Sequence, residues 1–96
     1  MTNHEILRCL GRNIQSARQA AGLTQECLAE LVGVHWKTIS ALERGLYPCG
    51  VTNLVRIVQH LKVSADSLLE GIKPPDARRA LTIRKALARR RRPKAR

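Results

Sequence analysis

Residues 25 to 44 read QECLAELVGVHWKTISALER. The apolar positions suit two short helices, Gln25 to Val32 and His35 to Arg44, joined by a tight turn at Gly33 and Val34. Leu28 and Val32 lie four apart on one face of the first helix, and Ile39 and Leu42 lie three apart on one face of the second. Ala29 sits beside Leu28, where only a small side chain lets two helix backbones approach closely. Gly33 falls where the first helix must end, and glycine takes a positive φ there without steric cost.

Two helices meeting at such a turn form a helix-turn-helix pattern. With Ile39 and Leu42 on the buried side of the second helix, Trp36, Lys37, Ser40, Ala41 and Arg44 share the opposite arc at about 100° per residue. A helix of this kind lies in the DNA major groove with its N-terminal side chains against base edges. Trp36, Lys37, Ser40 and Ala41 then face bases and Arg44 a phosphate. The alternative is a plain helical bundle whose outer face is solvated.

The rest of the chain supplies helices around this pair. Thr2-x-x-Glu5 has capping-box spacing and opens a helix running to Ala21, with Leu7, Leu10, Ile14 and Ala17 as its apolar stripe and Gly22 ending it. Thr24 is the expected N-cap of the next helix, with Glu26 complementing its dipole. GLYPCG, residues 45–50, is turn-forming by composition, and Gly50 or Thr52 starts a fourth helix with Leu54, Ile57, Val58 and Leu61 on one side. Ser64 caps a short fifth helix with Asp66 in its first turn and Leu68 and Leu69 inside, closed by Gly71. The expected fold is therefore all-α, a five-helix domain over residues 1–73 followed by a basic C-terminal tail over 74–96.

Composition agrees with one small helical core. The 96 residues are 44% apolar, with one Trp, one Tyr and no Phe, so Leu, Val, Ile and Ala must pack it. The formal charge of +11 is unevenly placed: residues 1–73 carry eight Lys/Arg against six acids, a net +2, whereas residues 74–96 carry ten against Asp76 alone, a net +9. A polyanionic partner is thus implied more strongly for the tail than for the domain. Pro74-Pro75-Asp76 reads as a break with Asp76 a candidate N-cap. Ala77 to Arg92 then suits either a chain disordered in isolation or a conditional basic helix with Ala80, Ile83 and Leu87 on one side, stopped by Pro93.

Cys9, Cys27 and Cys49 lack the spacing of a disulfide framework or a metal site, and Cys9 and Cys27 read as small buried hydrophobes in helices. His4, His35 and His60 are scattered, with His60 expected beside the core face of the fourth helix. No nucleophile has a base nearby and no glycine-rich phosphate loop occurs, so neither catalysis nor a cofactor is expected. No stretch has signal-peptide or membrane-span length, which suggests a cytoplasmic protein in a reducing compartment with no membrane partner. From spacing alone, Arg18 and Glu43 are either a pair joining the first and third helices or two independently solvated charges.

At Leu10-Gly11, Arg18, Gly22-Leu23-Thr24-Gln25, Leu28-Ala29, Gly33-Val34, Thr38-Ile39-Ser40, Glu43-Arg44-Gly45 and Val63-Ser64-x-Asp66-x-Leu68-Leu69, the sequence resembles the phage repressor and Cro (Xre-type) family over about residues 8 to 70. The resemblance implies a five-helix domain that binds double-stranded operator DNA as a homodimer and regulates transcription. It implies the Arg18–Glu43 pair as a structural link, Gln25 as a phosphate contact through its amide and the helix N-terminus, and His35, Trp36, Lys37, Ser40 and Ala41 as DNA-facing. Lys37 then donates to guanine O6 or N7, Ser40 pairs with either partner, and Ala41 meets a thymine methyl.

The sequence departs from the family at three places. His35 stands where Ser or Thr commonly caps the recognition helix, Cys49-Gly50 replaces Pro-Ser, and Trp36 is bulkier than the usual hydrogen-bonding residue. Trp36 therefore suits a sugar and thymine-methyl contact or an anchor for a protein partner or dimer mate. Leu68, Leu69 and Ile72 are the expected dimer surface. The chain also looks like small stand-alone regulators, namely restriction-modification controllers, antitoxins and prophage repressors. Two other functions stay open: a protein-interaction module of this fold, such as an antitoxin binding its toxin or a coactivator bridging to the transcription machinery, and non-specific nucleic-acid binding by the tail.

Overall fold

Thr2 begins the first helix by accepting the Glu5 N–H on its hydroxyl, which in turn donates to the Glu5 carboxylate at 3.2 Å. In a computed structural model, which describes residues 1–73 and 77–90, that helix is α1, Asn3–Ala20. It is followed by α2 (Gln25–Val32), α3 (Trp36–Glu43), α4 (Val51–Leu61), α5 (Ala65–Leu68) and α6 (Ala77–Arg90). The described residues are thus all-helical, with five helices in residues 1–73. Side-chain caps set the starts of α2 and α5, where Thr24 accepts from Cys27 N and Ser64 from Ser67 N, both at 3.1 Å. Gly50 begins α4 with no side-chain cap.

The core is aliphatic. Ile14 from α1, Leu28, Ala29 and Val32 from α2, Ile39 and Leu42 from α3, Ile57 and Leu61 from α4, and Leu68 form one buried cluster. Burying such a side chain stabilises by about 1.5–3 kcal/mol each. α3 packs between α1 and α2, α4 closes over α2, and α5 lies against α1. The α1–α3 crossing is close because Gly11 has no side chain: a Cβ there would lie 2.5 Å from the Glu43 carbonyl oxygen and 2.8 Å from its carbon. Asn13 ties α5 to α1 by donating to the Leu68 and Glu70 carbonyls at 2.7 and 2.8 Å.

Several expectations need correction. The second helix of the pair is shorter than His35–Arg44, because both of those residues serve as its caps. α5 spans a single turn and ends before Leu69, which is 45% exposed rather than inside, whereas Leu68 is 1% exposed. Leu68 therefore belongs to the core and has no surface to offer a second copy; of the expected dimer residues, Leu69 is exposed and Ile72 half-buried. Cys27 is exposed, since Leu28, Ala29 and Val32 occupy the inner side of α2. His60 is exposed, three residues on from Ile57 at the edge of the core face of α4, as its spacing suggests.

Where the sequence left disordered chain and basic helix open, residues 77–90 are helical. Asp76 as a cap, the extension to Arg92 and the stop at Pro93 lie outside the described residues. No helix among the described residues is long and apolar enough to cross a membrane.

Candidate nucleic-acid interface

The turn between α2 and α3 is fixed by backbone geometry. Gly33 adopts φ +84°, and its N–H and that of Val34 both reach the Ala29 carbonyl, at 2.8 and 3.0 Å. An L side chain at that φ is strained, so glycine lets α2 stop and α3 start within three residues. His35 then caps α3: its Nδ1 accepts the Lys37 N–H at 3.1 Å. An imidazole nitrogen thus does what a Ser or Thr hydroxyl ordinarily does, which requires Nδ1 to be unprotonated. The rings of His35 and Trp36 stand 5.9 Å apart between centroids, tilted by 32°.

From that start, α3 presents Trp36 (42% exposed) and Lys37 to the outside in its first turn. Ser40 and Ala41 follow one turn on, both half-buried, and Arg44 is exposed at the end. Arg44 Nε donates to the Ser40 carbonyl at 3.3 Å, a second bond to an oxygen that already accepts the Arg44 N–H at 3.1 Å, and leaves its terminal nitrogens for an outside acceptor. The face contains one full cation in its first turn, Lys37, and one at its C-cap, Arg44, with small side chains between. Such a surface admits close approach of base edges.

Behind α3 lies a buried polar network. Arg18 donates from Nε to Glu43 Oε2 at 2.7 Å, from Nη2 to Glu43 Oε1 at 3.1 Å and from Nη1 to the Leu23 carbonyl at 2.7 Å. Arg18 is 8% exposed and Glu43 5%. The hydrogen bond with Glu43 holds the Arg18 guanidinium above its ordinary pKa despite the opposing pull of burial, and the charges of Glu43 and Glu26 add to it. The network joins α1, the α1–α2 connection and the last turn of α3, so the outer face of α3 is held from behind.

Gln25 enters the same network. Its Nε2 donates to Glu43 Oε1 at 3.0 Å, a link that residue spacing along the chain does not reveal. Because a carboxylate only accepts, this fixes the amide orientation and leaves one Nε2 hydrogen for a further acceptor. Thr24 already occupies the Cys27 N–H, so the N–H groups of Gln25 and Glu26 are the first-turn donors with no helical carbonyl to take them.

Two further features escaped the sequence. Arg56, on α4, donates from Nη1 to the Val32 carbonyl at 3.2 Å and so caps the end of α2. The signal was present, since the last turn of α2 contains no basic residue of its own. Leu46 (62% exposed) and Tyr47 (52%) place a large apolar surface directly after α3. Reading GLYPCG only as a turn hid the fact that neither has a core position.

The profile of the helix-turn-helix family HTH_3 matches residues 14–68. No curated protein matches the chain by sequence. Among solved structures, the restriction-modification controller C.AhdI from Aeromonas hydrophila is 29% identical, with 65% of this chain and 94% of that one covered at a TM-score of 0.62. The clp gene regulator ClgR from Corynebacterium glutamicum is 27% identical, with 93% and 96% covered and a TM-score of 0.66. The hypothetical transcription factor NHTF from Neisseria is 28% identical, with 84% and 90% covered and a TM-score of 0.64.

Proposed function

The chain belongs to the HTH_3 helix-turn-helix family, and from that premise we propose that it is a DNA-binding transcription regulator that reads an inverted-repeat operator as a dimer. The observation that supports this best is the outer face of α3. Trp36, Lys37 and Ser40 project from a helix whose back is held by the buried Arg18–Glu43 pair, so the reading surface is preorganised. In this reading Lys37 donates to guanine, Ser40 pairs with a base edge, Ala41 and Trp36 contact thymine methyl and sugar, and Arg44 and the start of α2 at Gln25 hold phosphates. His35 positions the face by capping it. The similar structures, a restriction-modification controller and a clp gene regulator, support control of transcription rather than catalysis.

Dimerisation uses Leu69 and Ile72 beside α5. Two recognition helices then stand about 34 Å apart, which sets half-sites roughly one helical turn apart. The test is selection of bound duplexes from a random-sequence DNA library by the full chain and by Lys37→Ala. An inverted repeat enriched by the wild type, with a preference altered at one position of each half-site in the variant, is the expected result. Enrichment unaffected by Lys37→Ala would refute the assignment of α3 as the reading element.

One observation favours a second reading, a protein-interaction module of the same fold. Trp36, Leu46 and Tyr47 are large exposed apolar side chains on and after α3, the type that anchors protein interfaces. Retention of a defined protein by the wild type but not by Trp36→Ala, together with no enriched DNA site, would support that reading.

A further inference from the structure

α6 is divided lengthwise. At about 100° per residue, Lys85, Arg78, Arg89, Arg79 and Arg90 fall within an arc of roughly 140°. Ile83, Leu87, Ala80, Ala88 and Leu81 occupy the remainder, interrupted by Arg84. The helix contains no acidic residue, and Lys85 and Arg89 are like charges at i, i+4, an arrangement that opposes a helix in water. An anionic surface along the basic arc removes that opposition.

We infer that the basic arc of α6 is a second DNA-binding site, a holder of the phosphodiester backbone beside the segment read by α3. This rests on the DNA-binding reading and deepens it. Residues 1–73 have a net charge of only +2, so the reading domain has little general attraction for a polyanion, whereas α6 concentrates six cations in 14 residues. Laid along a duplex, a helix of about 21 Å passes roughly six phosphates of one strand, a match to the five cations of the arc. An anionic membrane fits less well. A helix lying in a lipid interface has an uninterrupted apolar face, commonly with Trp or Phe, whereas the apolar face of α6 contains Arg84 and no aromatic residue. The two sites divide the work: α3 supplies preference among sequences, and α6 supplies affinity that every sequence shares.

The experiment measures binding of the full chain to its selected duplex and to a scrambled duplex between 50 and 200 mM salt. The wild type, Lys85→Gln/Arg89→Gln/Arg90→Gln and Arg12→Gln are compared, with far-UV circular dichroism as a check on folding. Three lost phosphate contacts lower the slope of log affinity against log salt by about 2.7, so the fourfold salt increase weakens the triple variant roughly 40-fold less than the wild type. Affinity at low salt falls equally on both duplexes, and their ratio is preserved.

An unchanged slope overturns the proposal. So does an Arg12→Gln slope that falls as much per charge, which would make net charge alone the cause. Loss of binding to phosphatidylserine vesicles with the DNA slope intact overturns it in favour of a membrane. Absence of any preferred duplex for the wild type instead sinks the reading of α3, and the slope comparison on scrambled DNA still decides the role of α6.

Discussion

Replacing Glu43 by Gln preserves shape and removes one charge from the buried network, and the cost follows from the hydrogen bonds in place. The Glu43 carboxylate accepts three, two from Arg18 and one from Gln25. A carboxamide has a single oxygen, so in either orientation its NH2 group faces at least one donor, and the guanidinium, 8% exposed, loses its counter-charge. Breaking a buried pair from one side costs about 3–5 kcal/mol. Arg18→Met costs a similar amount, because it strands the carboxylate and also frees the Leu23 carbonyl.

In the double variant no charge remains buried. Its loss is expected to be no greater than that of either single variant, a coupling of roughly 3 kcal/mol or more. A domain of this size has on the order of 5–10 kcal/mol in total, so each single variant loses a large share of its urea midpoint. Urea unfolding of all four proteins, followed by far-UV circular dichroism and fitted with a common m-value, measures the cycle. Losses that add within about 0.5 kcal/mol, or a Glu43→Gln loss below about 1 kcal/mol, would refute the reasoning that the pair is buried and mutually dependent.

Three further outcomes follow from local geometry. Gly11→Ala should destabilise by about 2 kcal/mol, since its methyl meets the α3 backbone at Glu43 and overpacking outweighs the better helix propensity; a lower thermal midpoint by roughly 10 °C is the readout. Gly50→Ser should stabilise by about 0.5–1 kcal/mol, because α4 has no side-chain cap and open space surrounds the Gly50 Cβ position, and a raised thermal midpoint checks it. Burial pushes the Cys49 thiol above its ordinary value of 9.0, so the folded state retains a proton that the unfolded chain releases first. The stability from this group is fully present below that value and falls as pH rises through the folded-state pKa, and Cys49→Ala should flatten the alkaline limb of a stability–pH curve.

The elements that were legible in the sequence are those set by nearest neighbours. Thr24 as the α2 cap, Gly33 as its end, and the inward sets Leu28/Val32, Ile39/Leu42 and Ile57/Leu61 all follow from local preference and the 3.6-residue period, and the structure places each as the pattern requires. The outward arc of α3 is the complement of its buried face, so Trp36 and Lys37 were readable as exposed by the same argument. The helix-turn-helix family was legible because these short-range signals occur together in one segment.

What depends on distance in the chain was not. Leu68 and Leu69 are adjacent and chemically identical, yet one is core and the other surface, because α5 ends after a single turn where Asn13 of α1 holds the Leu68 and Glu70 carbonyls. The Gln25 amide looked like a free phosphate ligand until the fold brought Glu43 to 3.0 Å from it, and Arg56 found its role only when α4 crossed the end of α2. Local sequence thus determined which residues form helices and which sides face inward, since propensity, capping and periodicity act within a few residues. Which neighbour each inward or polar group meets was decided by the tertiary structure, because hydrogen bonds and close packing act over a few ångströms and those distances are set only when separate helices meet.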